Sequence, residues 1–251
     1  MEQVHGAEVT RGLDNIDLPL QPHETFVRLD TSQYEQFVDA CRGVDVVVHL
    51  AADPDPEADW ETSLLPRNII GCYNGFAAAS EAGCKRIVFA SSVNAINGWE
   101  HADWGGSPGG VKVDQPVWPI NVYGAGKCFG EALARVYSTS HDLSCICVRL
   151  GSPEFYQDPA TRECTQYGDL LAPGAPERSV SVARMGISPR DVAQLFRKCV
   201  DAPIDSVPFA IVNGISNHGP EGVMDYTAGR VVGYEPEDGL AFTPARATSK
   251  L

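Results

Sequence analysis

Three short apolar runs constrain the fold most: Val44-Asp-Val-Val-Val-His-Leu50, Arg86-Ile-Val-Phe-Ala-Ser-Ser92 and Ser144-Cys-Ile-Cys-Val-Arg149. They are near-continuous, as strands buried on both faces are, and helical patterns separate them. That alternation predicts a doubly wound α/β fold, with helices on both faces of a parallel sheet. Thr25-Phe-Val-Arg-Leu-Asp30 and Val207–Val212 read as further strands, and Ser32–Arg42 and Trp60–Ala82 as helices. At 251 residues the chain can build one sizeable α/β core but not two full domains. Residues 1–251 therefore read as a single domain. Sheets of this kind bind ligands beyond the carboxyl ends of their strands, where Leu50, Ala51, Ala52, Ser91 and Ser92 stand.

A second stretch carries the chemistry. In Asn121-Val-Tyr-Gly-Ala-Gly-Lys127, Tyr123 and Lys127 lie four residues apart, one helical turn on one face. Pro119 and Asn121 read as the helix start, and Ala125, Phe129, Ala132, Leu133 and Val136 as the apolar stripe that packs on the sheet. A neighbouring ammonium favours a phenolate, so Lys127 is expected to lower the Tyr123 pKa towards the range of a general acid/base. Any helix can show this spacing. The strand-end serines are what give the pair a site.

Charge and cysteine usage narrow the partners. With 19 Lys and Arg against 33 Asp and Glu, the net charge is −14. Neither nucleic acid nor an anionic membrane surface is expected as a partner, since both need a basic surface. The eight cysteines include no Cys-x-x-Cys pair and no metal spacing, so they read as reduced thiols with no metal bound. No apolar run approaches a membrane span.

Taken in chain order, Val48-His-Leu-Ala-Ala52, Asn68-Ile-Ile-Gly71, Ile87-Val-Phe-Ala-Ser-Ser92, Tyr123-Gly-Ala-Gly-Lys127, Val148-Arg-Leu-Gly-Ser152 and Val232-Gly-Tyr-Glu-Pro236 resemble the extended short-chain dehydrogenase/reductase superfamily. This is the NAD-dependent epimerase/dehydratase family, and within it the chain looks most like uronate dehydrogenase and its relatives. The resemblance implies an NAD-dependent oxidoreductase or epimerase acting on a sugar, sugar acid or nucleotide sugar. It implies NAD rather than NADP, and a homodimer paired through long helices. Ser92, Tyr123 and Lys127 match the catalytic positions, with Ser91 as the fallback for the serine. Asp14, Asp30 with Thr31, Leu50, Ala51, Ala52, Asn68, Lys127 and Gly151 match positions along the cofactor. Asp14 also reads as a turn aspartate, and Asp30 as a helix cap. Asn94 is an implied substrate contact, although uronate dehydrogenases tend to carry Asn-His where this chain has Val93-Asn94. Residues 154–187 and 213–251 match the substrate lobe. Of Arg162, Arg178 and Arg184 there, Arg178 best fits a carboxylate-binding role.

Two expectations concern the ends. His5–Asp14 reads as a helix end and the fold's second strand, so the first strand, its glycine turn and most of the first helix are expected to be missing. That is roughly 20–25 residues of a unit of about 30. The cluster Gly105-Gly-Ser-Pro-Gly-Gly110 follows no strand and reads as a loop. A relative that has lost the phosphate cradle and no longer catalyses is the alternative reading. At the other end, Ser249-Lys250-Leu251 matches the tripeptide read by the peroxisomal import receptor. It implies a peroxisomal protein in a eukaryote and a cytoplasmic one otherwise.

Overall fold

Each predicted strand run forms a strand, and the order of the strands fixes where the site lies. The computed structural model describes residues 10–14, 24–101, 110–153, 156–158, 163–164, 185–219 and 222–238. Along these run β1 (Thr10–Asp14), β2 (Glu24–Arg28), α1 (Tyr34–Cys41), β3 (Val46–His49), α2 (Gly71–Glu81), β4 (Arg86–Ser92), α3 (Gly98–His101) and α4 (Val122–Ser140). Then come β5 (Ser144–Leu150), the short strands β6 (Ser152–Pro153), β7 (Tyr156–Asp158), β8 (Glu163–Cys164) and β9 (Gly186–Ile187), α5 (Pro189–Asp201) and β10 (Phe209–Gly214). Four strands form one parallel sheet in the order β10-β5-β4-β3. β1 and β2 pair in parallel as a sheet of their own, with Asp14 opposite Arg28.

Both faces of the larger sheet are covered, and the two-residue side-chain period of a strand divides the core. Ile87 and Phe89 of β4, with Cys145 and Cys147 of β5, join Phe37, Phe76, Ala78 and Ala134 from α1, α2 and α4. Val88, Ala90, Ile146 and Val148 point the other way, to Leu195, Phe196 and Cys199 of α5 and to Tyr234. The described cysteines are free thiols, most of them buried in these two halves.

Three helices depart from the sequence expectation. α1 starts at Tyr34, not Ser32, because Asp30 first makes a turn, accepting Gln33 N–H at its carbonyl and Ser32 N–H at its side chain (both 2.9 Å). The Trp60–Ala82 helix is π-helical over Trp60–Ile70 before it continues as α2. Pro66 sits inside the wide turn, and its carbonyl accepts from Gly71 N–H five residues on. Proline has no N–H to give, and a π turn absorbs the mismatch.

The third departure is α4. It does not pack through Ala125, Ala132 and Val136, which are exposed, while Phe129 and Leu133 are half-buried at the margin of the core. The buried face is Gly124, Gly126, Lys127, Gly130, Glu131, Ala134 and Tyr137. The helix lies too close to the sheet for large side chains: a Cβ on Gly130 would come within 2.3 Å of the Phe89 ring. Glycine, Lys127 and Glu131 take much of that face, and Ala125, Ala132 and Val136 turn outward.

Arg86 opens β4, fully buried and with no carboxylate partner among the described contacts. Its Nε donates to Ser144 Oγ (2.9 Å), and its terminal nitrogens donate to the carbonyls of Cys199 (3.1 Å), Val200 (3.2 Å), Ala202 and Val207 (3.4 Å). Three of these carbonyls close α5, where a helix leaves acceptors unpaired and favours a cation.

Candidate active site

The carboxyl ends of β3 and β4 and the first turns of α4 converge on one place. Asn121 caps α4, its Oδ1 accepting the Gly124 N–H at 2.7 Å. This cap sets the rotation of the helix, and with it Tyr123 and Lys127. Lys127 is buried, and its Nζ donates to the Ala90 carbonyl at 2.7 Å. It also sits 5.4 Å from the Tyr123 ring centroid and 5.2 Å from that of Phe89. Burial pushes its ammonium pKa down to about 8.

The Ser92 hydroxyl stands near enough to the Tyr123 phenol to favour its ionised form, so the serine expected at the site is in reach of the tyrosine. The expected lowering of the Tyr123 pKa does not hold in this state. Burial raises it, the Ser92 hydrogen bond opposes that, and the Asp53 carboxylate raises it further. Lys127 donates to a backbone carbonyl, and desolvation of the phenolate is the largest influence on Tyr123.

Ser91 and Ser92 separate cleanly. Ser91 Oγ donates to Glu131 Oε1 at 2.7 Å, inside a buried pair in which Arg149 grips Glu131 at 2.8 and 2.9 Å. Arg149 also donates to the Val113 carbonyl at 3.2 Å. Ser91 is thus committed to a structural pair, and Ser92 is the serine on the tyrosine side. The Ser91–Glu131–Arg149 group was not anticipated. Its one sequence signal was Glu131, a helical turn beyond Lys127.

Two expected contacts have other partners. Asn68, expected along the cofactor, spends its amide on the main chain of Asp53: Oδ1 accepts Asp53 N–H at 2.7 Å and Nδ2 donates to Asp53 O at 3.0 Å. It holds the loop that follows β3. Asp53 in turn binds Ser63 and Arg67, and the Ser63 hydroxyl, the Asp55 N–H and Arg67 hold its carboxyl below the usual range. Asn94, expected on the substrate, bonds within the protein to Ser92, Asn97 and Asn121.

The sheet end suits a dinucleotide. Leu50 is 55% exposed just past β3, with Ala51 exposed and Ala52 half-buried beside it. Small side chains there let a ligand approach the main chain. Asp30 is exposed at the end of β2, its carboxyl held low by the Ser32 N–H and hydroxyl. Gly151 follows β5, where a Cβ would come within 2.0 Å of the Met185 carbonyl. Asp30, Leu50, Ala51, Ala52 and Lys127 would hold the cofactor. The main chain of Asp14 ends β1, but its side chain lies outside the described residues, as do Arg162, Arg178, Arg184, the Gly105–Gly109 cluster and the terminal Ser249-Lys250-Leu251. Among the described residues, no group of three His, Cys, Asp or Glu could hold a metal, and no helix is long and apolar enough to cross a membrane.

Comparison with known proteins gives the family. Residues 4–172 match the family described as NAD dependent epimerase/dehydratase. An NAD-dependent glucose-6-phosphate dehydrogenase of Haloferax volcanii is 33% identical over 213 residues, which is 80% of this chain and 71% of that protein. The uronate dehydrogenase of Pseudomonas putida is 28% identical, over 72% of this chain and 74% of that protein. The crystal structure of uronate dehydrogenase from Agrobacterium tumefaciens superposes with a TM-score of 0.71 at 30% identity, covering 93% of this chain and 76% of that one. A tyrosine-to-alanine variant of the Agrobacterium enzyme, complexed with NAD, gives a TM-score of 0.70 at 29% identity over 93% of this chain and 77% of that one. The chain belongs to the NAD-dependent epimerase/dehydratase family.

Proposed function

We propose that this protein is an NAD-dependent dehydrogenase of a free sugar or sugar acid, with Tyr123 as its acid/base. The observation that carries the reading is the convergence of Tyr123, Ser92 and Lys127 at the carboxyl end of β4. Tyr123 takes the proton from the hydroxyl on the carbon being oxidised, and Ser92 holds that oxygen by a hydrogen bond. Lys127 stands behind the tyrosine ring, where its charge supports the phenolate as it forms. NAD, when bound, supplies the hydride acceptor. Dehydrogenation is favoured over epimerisation because the relatives at 28–33% identity described above are named dehydrogenases. Arg178 is the proposed carboxylate contact if the sugar is a uronate.

The test is a purified-protein assay with NAD and D-glucuronate, D-galacturonate, glucose 6-phosphate, L-arabinose, UDP-glucose and UDP-glucuronate. NADH accumulation with one of the four free sugars is the expected result. Interconversion of a UDP-sugar without net NADH would replace dehydrogenation by epimerisation.

We also propose that two copies pair through the outward face of α2 and α4. Tyr73 and Val136 are 49% and 50% exposed there, and α2 packs beside α4. Such a patch meets its own copy in a twofold arrangement. Light scattering is expected to give a dimer mass for the wild type and a monomer mass for Val136→Arg. A monomeric wild type would remove this proposal.

A further inference from the structure

We infer that Asn121 and Asn94 form a one-way hydrogen-bond relay that fixes Ser92 as a donor to the reacting oxygen. Both are then positioning residues for the reaction. The inference rests on the proposed roles of Ser92 and Tyr123.

The direction of the relay starts from a group that has no choice. A backbone N–H can only donate, and Gly124 N–H lies 2.7 Å from the Asn121 side chain. The atom it meets is therefore Oδ1, and the other end of that amide is the Nδ2 donor. Asn121 Nδ2 lies 3.0 Å from Asn94, so the atom presented by Asn94 is Oδ1. The remaining end of the Asn94 amide, Nδ2, is then a donor, 3.2 Å from Ser92 Oγ. The Asn94 backbone N–H donates to the same oxygen at 3.1 Å. A hydroxyl has two acceptor lone pairs and one proton. Both lone pairs of Ser92 are taken, and only its proton is left to give outward, towards Tyr123.

Two features support this polarity. Asn97 Nδ2 also donates to Asn94 Oδ1, at 2.9 Å, and this leaves Asn97 Oδ1 buried without a partner. Reversing Asn97 would set two carbonyl oxygens against each other, so a local loss is tolerated to keep the direction. The start of α4 is also pressed onto the same segment, since a Cβ on Gly124 would come within 2.2 Å of the Asn94 carbonyl oxygen. The relay thus has little room to rearrange.

A donor at Ser92 has a chemical consequence. A hydrogen bond given to a phenolate or to a carbonyl oxygen stabilises the charge that develops there. Ser92 cannot at the same time accept the proton of the substrate hydroxyl, so that proton has one destination, Tyr123.

Asn121→Asp separates the relay from a plain helix cap. Aspartate keeps an acceptor for the Gly124 N–H and is a favoured cap, so the unfolding temperature should not fall. It has no N–H for Asn94, whose amide can then reverse and let Ser92 donate inward. Asn121→Ser is the neutral counterpart, since it caps but is too short to reach Asn94. With NAD and the active sugar among D-glucuronate, glucose 6-phosphate and L-arabinose, both variants should lose roughly tenfold in kcat. The alkaline requirement of kcat should move to higher pH. In ¹⁵N NMR the Asn94 side-chain amide protons should lose their protection from exchange. In a Ser92→Ala background neither substitution should cost anything more, because the relay acts through that hydroxyl. Wild-type kcat and pH profile in both variants, with activity lost in Ser92→Ala, would overturn the relay alone. A shift in Asn121→Asp without one in Asn121→Ser would also overturn it, as simple charge repulsion. Full activity in Ser92→Ala would overturn the role of the serine, and the relay with it.

Discussion

Tyr123→Phe should lower turnover by about 10²–10⁴-fold, the usual contribution of a positioned acid/base, without lowering the unfolding temperature. Only the hydroxyl is removed. The ring keeps its place beside Lys127, whose Nζ remains tied to the Ala90 carbonyl. What disappears is the group proposed to exchange a proton with the substrate, which stands beside the Ser92 hydroxyl. A pH signature accompanies the loss. Burial raises the Tyr123 pKa, so the resting phenol is protonated at neutral pH and the base form grows only as the solution becomes alkaline. Sugar oxidation by the wild type should therefore rise with pH through the alkaline range, and residual turnover in Tyr123→Phe should lack that rise. Stopped-flow or steady-state NADH formation measures both. Near-normal turnover of Tyr123→Phe would sink the proposed mechanism.

Arg86→Met should be the most damaging substitution for the fold. Methionine fits an apolar gap of similar length, so the loss is not chiefly one of volume. The carbonyls of Cys199, Val200 and Ala202 lose their side-chain donor, Val207 O keeps only the Ser144 hydroxyl (2.8 Å), and Ser144 Oγ loses Arg86 Nε. Each buried acceptor left unpaired costs about 1–3 kcal/mol. Relaxation recovers part of this, so a net loss of at least about 3 kcal/mol is expected, a large share of the stability typical of a domain. For a chain of this size that is a fall of roughly 6–12 °C in the unfolding temperature. Urea unfolding followed by circular dichroism would read it directly. A midpoint within error of the wild type would mean that the end of α5 is held by something other than Arg86.

Much of this was legible in the primary structure, and the parts that were not have physical reasons. Val44–Leu50, Arg86–Ser92 and Ser144–Arg149 announce buried parallel strands because every side chain in such a strand needs an apolar neighbour. Tyr123 and Lys127 are found together because four residues make one helical turn. The orientation of α4 was misread because apolar counting gives weight to Ala125, Ala132 and Val136 and none to Gly124, Gly126 and Gly130. Where a helix approaches a sheet closely, the missing side chain is the packing signal. Asn68 and Asn94 were expected to face a ligand and bond within the protein instead, since composition cannot tell whether an amide turns to a ligand or to its own chain. The separate fates of Ser91 and Ser92 depend on the strand's alternation at its last two residues. That became visible only once Glu131 and Arg149 were known to lie on one side.

The buried Lys127 has a consequence for anyone seeking a sturdier form of this protein. Its ammonium titrates near 8 in the fold, against an ordinary value of 10.5. Below pH 8 the folded chain carries a charge in a place that disfavours it, and stability grows as the solution rises from there towards the unfolded lysine's own titration. At neutral pH the lysine therefore works against folding. A selection for heat resistance alone would reward its replacement by an apolar residue and, on the proposed mechanism, would discard the reaction in doing so. Libraries for this enzyme therefore need an activity gate at every round, because stability and turnover pull Lys127 in opposite directions.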